Sequence, residues 1–268
     1  MASAPIVPIA ALALLLPAAA LAHGAGGHPP DPALHVDPSL DDCSIQFAPE
    51  LTQGAFRRFV REFGSVGAFK QGAPPTTLGR RGVSVDVEYV SFEVEEKSDA
   101  WNDTFAHPDA YHELGSRLAF PKLRVRFGVT DDVDVGAFYA QNPAANYGWV
   151  GVEARYGLLQ QRDGMPVSVA VRGAYTKTLY VGDMDMHAAG VDVSVGRTFW
   201  SVFTPYVGFG GDAVAARETS GAVDLDPEAL FVPHATGGFE VRYWHLAIGA
   251  EAQIAEINTF QAQVSVVF

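Results

Sequence analysis

From Gly82 to Phe268 the chain is a succession of runs in which apolar and polar residues alternate with a period of two. Nothing else in the sequence limits the fold as strongly, because a two-residue period puts neighbouring side chains on opposite faces and does not suit a helix. The runs cover 82–96, 116–129, 132–141, 147–159, 166–181, 186–199, 203–216, 230–243, 245–256 and 258–268. Most are near the roughly 9–11 residues that a tilted strand needs to cross a hydrocarbon layer. The connections also differ in length. Residues 97–115 and 217–229 are long, whereas Thr130-Asp131, Trp200 to Val202 and Trp244 are tight links. The expectation is an all-β fold: a roughly ten-stranded antiparallel barrel with long loops at one end, short turns at the other, and both chain ends on the short-turn side.

The two faces of the strands have different chemistry. In 116–129, Leu123, Val125, Phe127 and Val129 oppose Lys122, Arg124 and Arg126. In 82–90, Val83, Val85, Val87 and Tyr89 oppose Ser84, Asp86 and Glu88. Later runs set Glu153, Arg155, Arg172, Asp192, Asp212, Glu240, Arg242 and Glu251 against apolar rows. With the apolar rows turned outward in every strand, the apolar patch far exceeds the few hundred Å² that a soluble monomer shows. The apolar rows therefore face hydrocarbon and the charges face a lumen. Asp86 and Glu88 are expected to pair with Lys122, Arg124 and Arg126 across adjacent strands, because a buried charge is costly unless it is paired. Aromatic residues near strand ends (Tyr147, Trp149, Phe199, Trp200, Phe203, Tyr243 and Trp244) read as interface girdles.

Ahead of the barrel, residues 1–22 read as a signal peptide, with an apolar stretch from Ile6 to Leu21 and an A-x-A end at Ala20-Leu21-Ala22. Residues 23–48 form a Pro-, His- and Gly-rich flexible leader, in which the spacing of His23, His28 and His35 fits no compact metal site. Residues 49–64 are expected to be one amphipathic helix, with Phe56, Phe59, Val60 and Phe63 on one face and Arg57, Arg58 and Arg61 on the other. Pro49 suits its first turn and Gly64 its stop. Either the helix plugs the barrel or it lies on the membrane surface. A Gly/Pro linker, 65–81, leads into the barrel at 82–268. A single cysteine, Cys43, rules out an internal disulfide, and Leu40-Asp41-Asp42 before it does not suit lipidation. The net charge of −13 leaves no basic stripe for nucleic acid.

The last strand ends in Phe268, with Phe260, Ala262, Val264 and Val266 on the same face. This resembles the C-terminal signature of bacterial outer-membrane β-barrel proteins. The resemblance implies a bacterial outer-membrane location, outer-membrane lipids as surroundings, and recognition of Phe260, Val264, Val266 and Phe268 by the barrel-assembly machinery.

The residues that bear on chemistry are few. Asp183, Asp185 and His187 form a rim candidate, sharing one face if the segment is extended. Asp185-x-His187 is similar to one catalytic pair of the omptin proteases, which are also ten-stranded barrels. The partner pair is not matched, since Asp99 and Asp103 lack the Asp-x-Asp spacing. His234-x-Thr236 is the nearest approach to the His-x-Ser pair of outer-membrane lipases. The Phe-rich helix is similar in placement to the N-terminal helix of the lipid A palmitoyltransferase. No cofactor or metal is implied. The leading expectation is a structural or narrow-channel barrel with a charge-paired lumen, and the alternative is a rim enzyme acting on peptides or lipids.

Overall fold

A computed structural model describes residues 43–107, 114–142 and 144–268; the expected signal peptide, 1–22, and most of the expected leader lie outside them. Ten strands form a closed antiparallel barrel. They are β2 (Val83–Glu93), β4 (Arg117–Gly128), β5 (Val133–Gln141), β6 (Gly148–Leu159), β7 (Ser168–Leu179), β8 (Met184–Gly196), β9 (Phe203–Glu218), β10 (Glu228–Tyr243), β11 (Leu246–Ile254) and β12 (Thr259–Val267). Two short segments, β1 (Ser44–Ile45) and β3 (Phe105–Ala106), pair outside the barrel. Each expected run overlaps one barrel strand, with the ends differing by a few residues at most.

Closure comes from pairing the first barrel strand with the last, from Thr259↔Phe92 to Val267↔Ser84. Phe268 extends the seam: its N–H donates to Val83 O at 2.8 Å and its carbonyl accepts from Val83 N at 3.0 Å. A closed barrel leaves no sheet edge, so backbone groups at membrane depth are satisfied between neighbouring strands.

The outward rows are apolar, with Leu123, Val125, Phe127, Val152, Val191, Val193, Ile248 and Val264 all exposed. Trp200, Tyr243, Trp244 and Phe268 mark the short-turn end, and Tyr139, Tyr180 and Phe231 the other. Such a band needs hydrocarbon, so the fold is a membrane-spanning barrel of the outer-membrane type. Two aromatic residues expected in a girdle point inward. Tyr147 and Trp149 are buried and pack on Phe63, with Trp149 on the same strand parity as Glu153.

Helix α1 spans Gln53–Gly67, beginning four residues later and ending three residues later than 49–64. Thr52 is the N-cap, its Oγ1 accepting from Ala55 N at 3.2 Å, while Pro49 lies in the turn before it. Gly64 is not the stop. It lies inside the helix, where an added Cβ would meet Val214 at 2.4 Å, so glycine permits the close approach to β9. The helix ends where Ala68 turns to extended backbone.

The apolar face of α1 packs inside the mouth at the long-loop end. Phe56, Phe59, Val60 and Phe63 are fully buried, with Phe59 against Trp101 and Phe105, Phe63 against Tyr147 and Trp149, and Phe56 against Phe47. Trp101 lies on α2 (Asp99–Asn102), in the long loop after β2, and donates its indole N–H to Glu62 at 2.5 Å. Glu62 also accepts from Arg58 at 2.7 Å. Arg58 is held further above its ordinary pKa by the Glu95 carboxylate, then by Glu62. The described start of the chain lies at this end too. Phe47 N donates to Asp183 at 2.8 Å and Ile45 N to Asn146 at 2.7 Å, the acceptors lying in the β7–β8 and β5–β6 connections at the long-loop end. The expectation that both chain ends lie on the short-turn side therefore holds for Phe268 but not for the first described residues.

Candidate functional site: a lumen threaded by its own chain

Residues 68–82 must carry the backbone from α1, at the long-loop end, to the start of β2, at the short-turn end. They do so through the barrel. The segment has few side chains of its own to pack and many backbone carbonyls, and the inward arginines bind those carbonyls. Arg172 donates to Phe69 O at 2.7 Å and Lys70 O at 2.6 Å. Arg124 reaches Gln71 O at 2.8 Å and Gly72 O at 3.0 Å, and Arg155 reaches Pro74 O at 2.7 Å.

Carboxylates do the complementary work on backbone N–H groups. Glu251 accepts from Gly72 N at 2.7 Å, and Asp134 from Leu78 N at 3.1 Å. Gln160 closes the lower part, donating to Pro75 O at 3.3 Å and accepting from Thr77 N at 3.2 Å. Gly72, at φ +58, lies against the Arg124 guanidinium, where an added Cβ would stand 2.8 Å from a nitrogen. An unpaired buried carbonyl is expensive, so these side chains replace the hydrogen bonds that water would make to the strand of chain.

The same arginines are charge-neutralised from the wall. Arg124 Nε stands 3.1 Å from Asp86 and 2.9 Å from Glu88, and Arg126 Nε stands 3.3 Å from Asp86. Lys122 pairs with Glu88, and its ammonium lies over the rings of Phe69 and Phe138. Arg172 pairs with Asp192 at 2.6 Å, with Glu153 at 3.7 Å. His234 bridges Asp192 at 2.5 Å and Asp212 at 3.1 Å. Glu240 and Arg242 pair at 3.0 Å near the short-turn mouth, where Arg242 is partly exposed. Glu251 also accepts from Tyr206 at 2.9 Å. The inward set singled out by alternation thus shares one lumen, buried except for Arg242.

Among the Asp, Glu, Lys, Arg and His side chains of this lumen, Asp134, Lys70 and His234 are not assigned to it from the sequence. Asp134 shares parity with Gly136, Phe138 and Ala140, and that parity was a usable signal. Lys70, buried and donating to Ser65 O, lies in the linker, where no period marks it. His234 stands out in sequence only as a weak base candidate; its neighbours in the fold are two carboxylates.

The rim candidate divides. Asp183 precedes β8 and accepts from Phe47 N, with burial pushing its carboxyl above the usual range. Asp185 and His187 sit on the outer face of β8, 3.3 Å apart, with Met184 before them and Met186 between them turned inward. Asp185 also pairs with Lys177 at 3.3 Å and Arg217 at 3.6 Å, and His187 contacts Tyr175 Oη. Asp183 is therefore not in the group formed by the other two. Among the described residues no cluster of metal-ligating side chains forms.

No family model and no curated protein matches the chain. Several solved structures resemble it. Ail, the attachment invasion locus protein of Yersinia pestis, is 13% identical, with 70% of this chain and 99% of that one covered, at a TM-score of 0.33. KdgM porin is 8% identical over 69% of this chain and 99% of its own, at 0.36. An outer-membrane channel from Pseudomonas putida F1 is 10% identical over 75% of this chain and 100% of its own, at 0.43. The membrane assignment rests on the barrel's own closure and belt: a closed antiparallel barrel wrapped in apolar side chains, with longer loops at one end, is an outer-membrane β-barrel.

Proposed function

We propose that this protein is a closed, non-enzymatic barrel whose N-terminal segment is its permanent plug. Its role is then structural: it holds α1, α2 and the neighbouring loops as a folded cap at the outer mouth. The observation that carries this reading is the row of guanidinium-to-carbonyl bonds from Arg124, Arg155 and Arg172 to residues 69–74. A side chain swinging aside opens a narrow pore. Here, opening requires moving main chain and breaking buried charge-assisted hydrogen bonds, each about 1.5–3 kcal/mol. The charge-paired wall is read as the device that keeps these arginines neutralised while they bind the plug. Export by a 1–22 signal and recognition of Phe268 by the barrel-assembly machinery belong to the same reading.

Planar-bilayer recordings test it. The full chain should be electrically silent, and a variant lacking residues 53–76 should conduct while keeping heat-modifiable gel mobility. Steady ohmic conductance from the full chain would overturn the closed-barrel reading in favour of a channel.

A further inference from the structure

The barrel wall is uneven at its outer rim. Strand β10 pairs with β9 from Glu228 to Val241, but with β11 only from Ala235 to Tyr243. Residues 228–234 therefore have no β11 partner, because β11 stops at Ile254. Beside this step is a groove of about 700 Å³, floored by β10 and the end of β11, and roofed by Arg57 and Arg61 of α1.

Its height can be placed from the strands. Ala235 is eight residues above Tyr243, and Phe231 twelve. At about 3.3 Å per residue and a tilt of about 40°, these lie about 20 and about 30 Å above the short-turn girdle. The apolar band of such barrels is about 25 Å tall, so the step straddles the upper interface. Below it, the lipid-facing wall carries a furrow of about 580 Å³ over Gly237, Ala252 and Ala262, bordered by Phe239 and Phe260. Ala252 pairs with Gly237, two residues below the Ile254↔Ala235 pair that floors the upper groove, so the furrow begins one outward-facing pair below the groove.

The two parts have the polarity of an amphiphile. Arg57 and Arg61 are about half exposed and make only loose pairs, 3.7 Å to Glu228 and 3.7 Å to Glu256. Among the described residues neither guanidinium makes a hydrogen bond, so their donors remain available. Glu228 is already engaged by Gln53 at 2.6 Å. Two arginines one helical turn apart match a phosphate, which takes charge-assisted hydrogen bonds from both. Pro233 on the open part of β10 lacks an N–H, which weakens the alternative of an added peptide strand.

We propose that this step is a binding site for an anionic lipid of the outer leaflet, one whose phosphate is not offset by a cation in the same headgroup, with that phosphate on Arg57 and Arg61 and an acyl chain in the furrow over Ala252. The test is native mass spectrometry of the full protein from detergent micelles containing equal amounts of dioleoylphosphatidylglycerol and dioleoylphosphatidylcholine. Wild type should retain one phosphatidylglycerol, favoured about tenfold over the zwitterionic lipid, whose choline offsets its phosphate charge. R57Q/R61Q should abolish that preference, R57K/R61K should keep part of it, and A252W should lower retention of both lipids. Heat-modifiable mobility confirms that each variant is folded; should the double variant fail, Arg57→Gln alone, at an exposed position, replaces it. Equal retention of the two lipids by wild type, or an unchanged preference in R57Q/R61Q, would overturn the site. Displacement of the lipid by millimolar inorganic phosphate would reduce it to an anion site. A co-purified peptide that blocks lipid would assign the β10 edge to strand addition instead.

Discussion

Arg124 joins the two halves of the structure. Its Nε faces Asp86 and Glu88 on β2, while its terminal nitrogens hold the carbonyls of Gln71 and Gly72. Removing it therefore takes a partner from two carboxylates and from two backbone carbonyls at once. Truncating one side of a buried ion pair costs about 3–5 kcal/mol, so R124A/R126A should lower the urea midpoint clearly. Adding Asp86→Asn and Glu88→Gln should restore only part of the loss, because the unpaired carbonyls remain. Full restoration would show that Arg124 serves the wall alone, and an unchanged midpoint in R124A/R126A would mean that these side chains do not share the lumen. The inward position of Arg124 is legible in sequence from its parity with Lys122 and Arg126. Its carbonyl partners are not, since a backbone oxygen leaves no trace in residue type.

Helix α1 shows how far a pattern reaches at the level of one element. Its Phe face and Arg face follow from spacing alone, and both a plug and a membrane-surface helix satisfy that spacing. Burial of Phe56, Phe59 and Phe63 inside the mouth selects the plug. Phe59→Ala should cost about 3–5 kcal/mol, since it empties a site packed against Trp101 and Phe105. In recordings it should produce transient openings that wild type lacks. The opposite face looks outward from the long-loop end, so Arg57→Cys, in a Cys43→Ala background, should react with a membrane-impermeant maleimide on intact cells. Labelling only after lysis would invert the assigned orientation. The last strand makes its own prediction. Phe268 continues the seam with Val83 and stacks on His245, so deleting it removes two backbone hydrogen bonds at the closing edge. The yield of heat-modifiable barrel should fall sharply, and a wild-type yield would count against Phe268 as a closing and assembly element.

For the whole molecule, the decisive quantity is the polarity of the two barrel surfaces. The outer surface is apolar and the lumen is filled by charge pairs and main chain, so the protein should partition into the detergent-requiring outer-membrane fraction. It should also shift mobility on boiling. Recovery in a soluble periplasmic extract would sink the topology. The barrel itself can be read from the chain because a strand's two faces are encoded locally: every second residue reports its surroundings, whatever lies across the sheet. Ten such strands with tight links at one end leave closure as the way to satisfy their backbone in hydrocarbon. What fills the lumen is encoded differently. Residues 68–82 have no period, and their hold on the barrel depends on side chains supplied from 124, 134, 155, 172 and 251, brought together only when the barrel closes. The step at β10 is of the same kind. It arises from a mismatch in length between neighbouring strands, and neither strand carries that mismatch alone. Face polarity is thus a property of single residues and survives in the linear chain, whereas the plug and the rim are relations between distant segments and exist only in the folded molecule.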